Sequence, residues 1–100
     1  MQIKLSAEAA EEMLDSAAWY DQREPGLGAE FLAACNQAFT LIAADPARYL
    51  HIGKGFHRHL MRRFPFGIFY EVQGDVLIIA AVFHGARHPK RWRERLGLDR

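Results

Sequence analysis

One hundred residues, half of them hydrophobic and a quarter charged, describe a single globular domain over 1–100 and exclude disorder, collagen-like repetition and a second domain. A chain this short buries a smaller share of its surface than a larger protein does, so nearly every apolar residue is needed for the core and a large enclosed cavity is not expected. The net charge of +1 hides a division: residues 1–50 carry three basic and eight acidic side chains, a balance of −5, while residues 51–100 carry ten basic and four acidic, a balance of +6. That asymmetry fits an acidic or polyanionic partner met by one side of the molecule, and it equally fits simple segregation of solvated faces.

The longest unbroken apolar run, Val76 to Phe83, is eight residues, well short of the roughly 20 that a membrane-spanning helix requires. Residues 1–6 lack the basic flank and long apolar stretch of an export signal, and the single cysteine, Cys35, has no partner for an internal disulfide. A cytoplasmic protein without a membrane segment is expected.

In chain order, Ile3 to Leu5 suit a short strand. Ser6 then caps a helix through its hydroxyl, Glu8, Glu11 and Glu12 favour the positive N-terminal end, and Ala10, Met13, Leu14, Ala17 and Ala18 make an apolar stripe as far as about Arg23. Glu24-Pro25-Gly26-Leu27-Gly28 reads as a tight reversal into a second helix with the stripe Leu27, Phe31, Ala34, Cys35, Ala38, Leu41 and Ile42. Pro46 ends that helix, because its ring disfavours a helical Asp45. From Pro46 to Gly55 no period emerges, and Gly53-Lys54-Gly55 reads as a basic loop.

Strand patterns follow. Phe56 to Phe64 reads as one strand, Phe66 to Val72 as the next, Gln73-Gly74-Asp75 as a hairpin turn, and Val76 to Phe83 as a strand buried on both faces, since it shows no polar alternation. Pro89 opens a short basic final helix. The order β-α-α-β-β-β-α predicts an α+β domain: an antiparallel two-helix hairpin packed on a small antiparallel sheet, with the first strand at an edge or joined by a long crossover.

No phosphate loop, nucleophile elbow or paired-cysteine metal motif is present. His51, His57 and His59 make an incomplete and unspecific ligand set, so no metal or other cofactor is expected. Cys35 lies on an apolar stripe and reads as a small core residue, and Trp19 and Tyr20 read as packing at the tip of the hairpin. Arg62, Arg63, His84 and Arg87, with His88 and Tyr70 nearby, stand out, because guanidinium groups grip phosphate and histidine moves protons near neutral pH. Two readings stay open: a backbone-binding or backbone-cutting set, or solvated arginines around a hydrogen-bonded histidine. Alternation along a strand would send Arg62 and Arg63 to opposite faces, so at most one belongs to any one site. In the run from Arg87 to Arg95, Trp92 is expected to staple the helix to the core, leaving its cations free for phosphates or acidic groups.

The set Ala10, Leu14 and Ala18-Trp19-Tyr20; Gly26-Leu27-Gly28 with Phe31; Ile42 and Pro46; Phe64-Pro65-Phe66 with Ile68 and Tyr70; and Phe83-His84, Arg87, Pro89 and Trp92 resembles the RelE/ParE superfamily of toxins from type II toxin–antitoxin (plasmid-stabilisation) systems. The likeness spans nearly the whole chain, and His84 with Arg87-x-Pro89 and Trp92 is more similar to the ParE side. It implies a toxin neutralised by a cognate antitoxin, a small DNA-binding protein with an amphipathic C-terminal tail. Relatives similar to ParE poison DNA gyrase without an agreed catalytic set; relatives similar to RelE are endoribonucleases that cut mRNA in the ribosome. On the first reading the chain is not itself a catalyst, and Arg63, His84, Arg87, Lys90 and Arg91 would meet the target. On the second, Arg62, Arg63, His84 and Arg87 would be catalytic. A decayed toxin retaining only antitoxin binding is the third. The antitoxin tail is expected to lay an amphipathic helix into a groove beside the sheet edge, touching Leu14, Ala18, Phe31 and Phe39, and to add a strand at an edge. Where many relatives carry an acid before this proline, the chain has His88.

Overall fold

In the computed structural model, which describes residues 1–84 and 89–99, β1 (Gln2–Leu5) leads directly into α1 (Ala7–Arg23). Ser6 joins them: its hydroxyl oxygen accepts the Ala9 N–H at 3.0 Å and the hydroxyl donates to the Ala80 carbonyl at 3.0 Å, so one side chain caps the helix and ties it to the sheet. Gly26, at φ 91°, supplies the left-handed residue from which α2 (Leu27–Ala44) starts. Gly28 serves a different purpose from the freedom of a turn. A Cβ there would lie 2.4 Å from the Ala17 carbonyl oxygen, so only glycine lets α2 cross α1 this closely, and its N–H donates to Asp21 Oδ1 at 2.7 Å.

The inward face of α1 is Ala9, Met13 and Ala17, one residue round from part of the expected stripe, and Leu14 is 63% exposed. α2 buries Phe31, Cys35, Ala38, Phe39 and Ile42 but leaves Leu41 outside. By length and composition α2 would suffice to cross a membrane; here that apolar character is the core of the hairpin.

Residues 46–55 are more ordered than their pattern predicts. A single 3₁₀ turn, Pro46–Arg48, leads into β2 (Leu50–Gly53), which pairs antiparallel with β3 (Phe56–Leu60). The expected strand from Phe56 to Phe64 therefore stops at Leu60, and Met61 to Pro65 form the connection to β4 (Phe66–Gln73). β4 turns through Gly74-Asp75 into β5 (Val76–His84), and α3 (Pro89–Arg95) closes the described chain.

The five-stranded sheet has the order β1-β5-β4-β3-β2, antiparallel except for β1, which runs parallel to β5 at one edge. The hairpin covers one face, over Phe66, Ile68, Tyr70, Leu77, Ile79 and Val82. The other face carries a second cluster of Phe69, Ala81, Trp92 and Leu98, so α3 is stapled there by Trp92 as expected. Both faces of β5 are covered, as its lack of polar alternation predicts, and a bulge shifts its parity. Phe69 faces Ala81 but Tyr70 faces Ile79, so Ala80 is the extra residue and the inward parity changes from Leu77 and Ile79 to Val82.

Candidate functional site

The stripe Glu12, Asp15, Ser16 and Trp19 on α1 faces the last residues of β5, and between them runs a groove of about 410 Å³ lined also by Tyr20, Phe66, Val82, His84 and part of Phe83. β1 stops pairing at Leu5 opposite Ile79, so the outer half of β5 has no strand beside it. Tyr20 is anchored by Phe31, Phe64 and Phe66, with ring centroids 5.0–6.3 Å away, whereas Trp19 is 49% exposed with the Arg23 guanidinium 3.3 Å from its ring centre. Tyr20 is thus the packing residue expected, while Trp19 is a wall of the groove.

The residues expected to meet an antitoxin divide otherwise. Phe31 and Phe39, at 0% and 3% exposure, are core and offer no surface to a partner. They sit on the inward side of α2, which one apolar stripe cannot distinguish from a docking face. Leu14 and Ala18 are exposed but lie on another side of α1 and do not line the groove.

Of the cationic set, Arg62 and Arg63 both stand in the connection between β3 and β4, so strand alternation does not separate them as expected. Arg63 is ion-paired with Glu30 of α2 and lies 5.0 Å over the Phe64 ring. His84 borders the groove edge-on to Phe66, at 5.2 Å between centroids. Among the described residues no hydrogen bond or ion pair joins Arg62, Arg63 and His84. Arg87 and His88 lie outside the described residues. Lys90 and Arg91 are exposed on α3.

Sequence reasoning missed Arg58, and it read Arg93 and Arg95 as free cations of the last helix, whereas Arg93 pairs with Asp99 and Arg95 with Glu12. Arg58 and Arg93 place their guanidinium carbons 5.9 and 5.8 Å from the Trp92 ring centre, building a cationic rim on the sheet face away from the hairpin. Arg95 pairs with Glu12, across 83 residues of chain, and no local pattern signals that contact.

His51, His57 and His59 sit elsewhere. His51 and His57 face each other across β2 and β3 with ring centroids 5.2 Å apart; His57 stacks on Tyr70 at 5.3 Å, and His59 meets the edge of Tyr49 at 4.5 Å. Burial lowers the pKa of both His57 and His59, with His51 adding to the effect at His57. Among the described residues no three His, Cys, Asp or Glu side chains are arranged to hold a metal ion. Tyr70 donates to the Pro46 carbonyl at 2.6 Å, and burial pushes its phenol up to about 12. The Cys35 thiol, fully buried, is likewise pushed up to about 12, as suits a core residue.

A family model described as the ParE toxin of the type II toxin-antitoxin system parDE matches residues 3–89. The chain belongs to the ParE toxin family. It is a toxin of the type II class, on the ParE side of the resemblance read from its residues. Among solved structures it is similar to a chain of the chromosomal ParDE toxin–antitoxin system from P. aeruginosa, at 17% identity and a TM-score of 0.74, covering 85% of this chain and 96% of the other. No curated protein matches it. The groove, Trp19 and His84 fall inside the ParE match, whereas Lys90, Arg91, Trp92 and Arg95 lie beyond its last residue.

Proposed function

We propose that this ParE-family toxin is held inactive by a cognate antitoxin, a small DNA-binding protein whose amphipathic C-terminal tail occupies the groove between α1 and the outer edge of β5. Released, it acts in the cytoplasm by poisoning DNA gyrase. The observation that carries the antitoxin reading is the groove itself: about 410 Å³, walled by Trp19 and floored by Tyr20, Phe66 and Val82, beside a strand edge that β1 leaves uncovered. Exposed apolar surface of this kind, rimmed by polar side chains, is what a partner segment covers. The cationic residues Arg58, Lys90, Arg91 and Arg93 lie apart from it on the other side of the sheet and on α3, which supports a separate surface for an acidic or nucleic-acid-bearing target.

The test combines the purified toxin with gyrase and a supercoiled plasmid. Loss of supercoiling with accumulation of DNA breaks, relieved by the protein from the adjacent reading frame, is the expected outcome. Intact gyrase activity together with mRNA cuts in translating extracts would replace gyrase by the ribosome. Growth unaffected by induction of the toxin would reduce the function to antitoxin binding alone.

A further inference from the structure

The strand edge beside the groove is occupied by a side chain. Glu12 reaches from α1 and accepts the Val82 N–H on Oε1 at 2.9 Å. The same carboxylate holds the Arg95 guanidinium through both its oxygens, and Arg95 also donates to the Ala80 carbonyl at 2.9 Å. A carboxylate oxygen therefore stands where the main-chain carbonyl of a neighbouring strand would stand, just past the point where β1 ends opposite Ile79. In an antiparallel pair, residues two apart aim their N–H and C=O to the same side. The Val82 carbonyl and the N–H and C=O of His84 consequently face the same open edge as the Val82 N–H.

We propose that Glu12 is an internal stand-in for a partner strand. The occupant of the groove is an extended segment of the antitoxin that adds to β5 over Val82 to His84, takes the Val82 N–H with a main-chain carbonyl, and brings its own acidic side chain to Arg95. The proposal rests on the reading that the antitoxin docks in this groove and states what its tail must carry.

Three observations support it. Arg95 and Glu12 are only 25% and 22% exposed, so displacing Glu12 would leave a largely desolvated guanidinium over the Phe83 ring with the Ala80 carbonyl as its remaining described hydrogen-bond partner, a cost the incoming segment avoids by supplying an acid at that point. Apolar side chains on an added strand recur every second residue on one face, and Trp19, Tyr20, Phe66 and Val82 offer them a seat along the groove. Asp15 lies on the same wall with no ion-pair partner among the described residues, so the segment's position facing it is neutral or basic. In the unbound toxin, Glu12 also keeps the edge from pairing with a wrong strand.

The experiment measures binding of the full-length protein from the adjacent reading frame to the toxin by titration calorimetry, for the wild type, Glu12→Ala and Trp19→Ala. Removing Glu12 takes away a hydrogen bond that exists only in the free toxin, so Glu12→Ala should bind about tenfold tighter. Unchanged or weaker binding of Glu12→Ala, with Trp19→Ala weakened, overturns the stand-in and leaves the groove as the docking place. Wild-type affinity in Trp19→Ala overturns the groove reading itself. Hydrogen exchange on the unmutated complex guards against a Glu12→Ala protein that folds poorly: the His84 amide should slow on binding, and exchange as fast as in the free toxin refutes strand addition.

Discussion

Replacing Gly28 by alanine adds one methyl group where α2 crosses α1. The new Cβ would lie 2.4 Å from the Ala17 carbonyl oxygen and 2.8 Å from Cγ and Oδ1 of Asp21. The carbonyl belongs to the backbone of α1 and has no rotamer to escape into, so the helices must separate. Overpacking of this kind costs about 1–3 kcal/mol. The same separation strains the Gly28 N–H bond to Asp21 Oδ1, now 2.7 Å, and a hydrogen bond to a charged acceptor contributes about 1.5–3 kcal/mol. Against these stands the better helix propensity of alanine, about 1 kcal/mol in the stabilising direction. The net expectation is a loss of roughly 2–3 kcal/mol, or about 10–20 °C in Tm for a domain of this size, read by circular dichroism during thermal and urea unfolding. An unchanged or higher Tm is the result that propensity alone would produce, and it would refute the close crossing.

Phe31→Ala should lose about 3–5 kcal/mol in urea unfolding, because it empties a fully buried site; a well-folded variant that fails only in antitoxin binding would return Phe31 to the docking surface. Tyr70→Phe removes the donor to the Pro46 carbonyl and should cost about 1–2 kcal/mol, so a wild-type urea midpoint would show that the bond contributes nothing. Since burial lowers the pKa of His57 and His59 from the ordinary 6.5, the unfolded chain takes up their protons first. Their contribution to stability is therefore complete above that value and declines as the pH falls below it. Urea midpoints measured between pH 7.5 and 5.5 should fall in the wild type and fall less in the His57→Gln/His59→Gln double variant; equal slopes would remove the histidines from the account. The Cys35 thiol should resist iodoacetamide at pH 8 until urea unfolds the protein, and fast alkylation of the native state would contradict its place in the core.

Elements set by local chemistry were legible in the residues alone. Ser6 as a cap, Pro46 after the second helix, the turn at Gly74-Asp75 and Pro89 at the start of α3 each act within a few positions of themselves. β2 escaped notice because Leu50 to Gly53 are stabilised by pairing with β3, not by an apolar period of their own. Gly28 reads in sequence as half of a flexible turn, whereas its role is steric and needs Ala17 brought beside it. The groove was harder still. Its wall, Glu12, Asp15, Ser16 and Trp19, has helical spacing, but three of the four are polar and read as a solvated face. Glu12 and Arg95 meet only after the sheet has formed between them.

The single extra residue at Ala80 governs what the far end of β5 displays. Because of it, Phe83 lies with the Trp92 cluster while His84 looks toward the helices. Were Ala80 instead paired in the ladder opposite Phe69, every later residue would move on by one, burying an imidazole against indole and pushing a phenyl ring into the channel, whereas deleting Ala80 would keep both facings. The identity of the surface offered to another protein is thus held by one residue left out of the ladder, and a change that drew it into pairing would rewrite partner choice without altering any side chain that touches the partner.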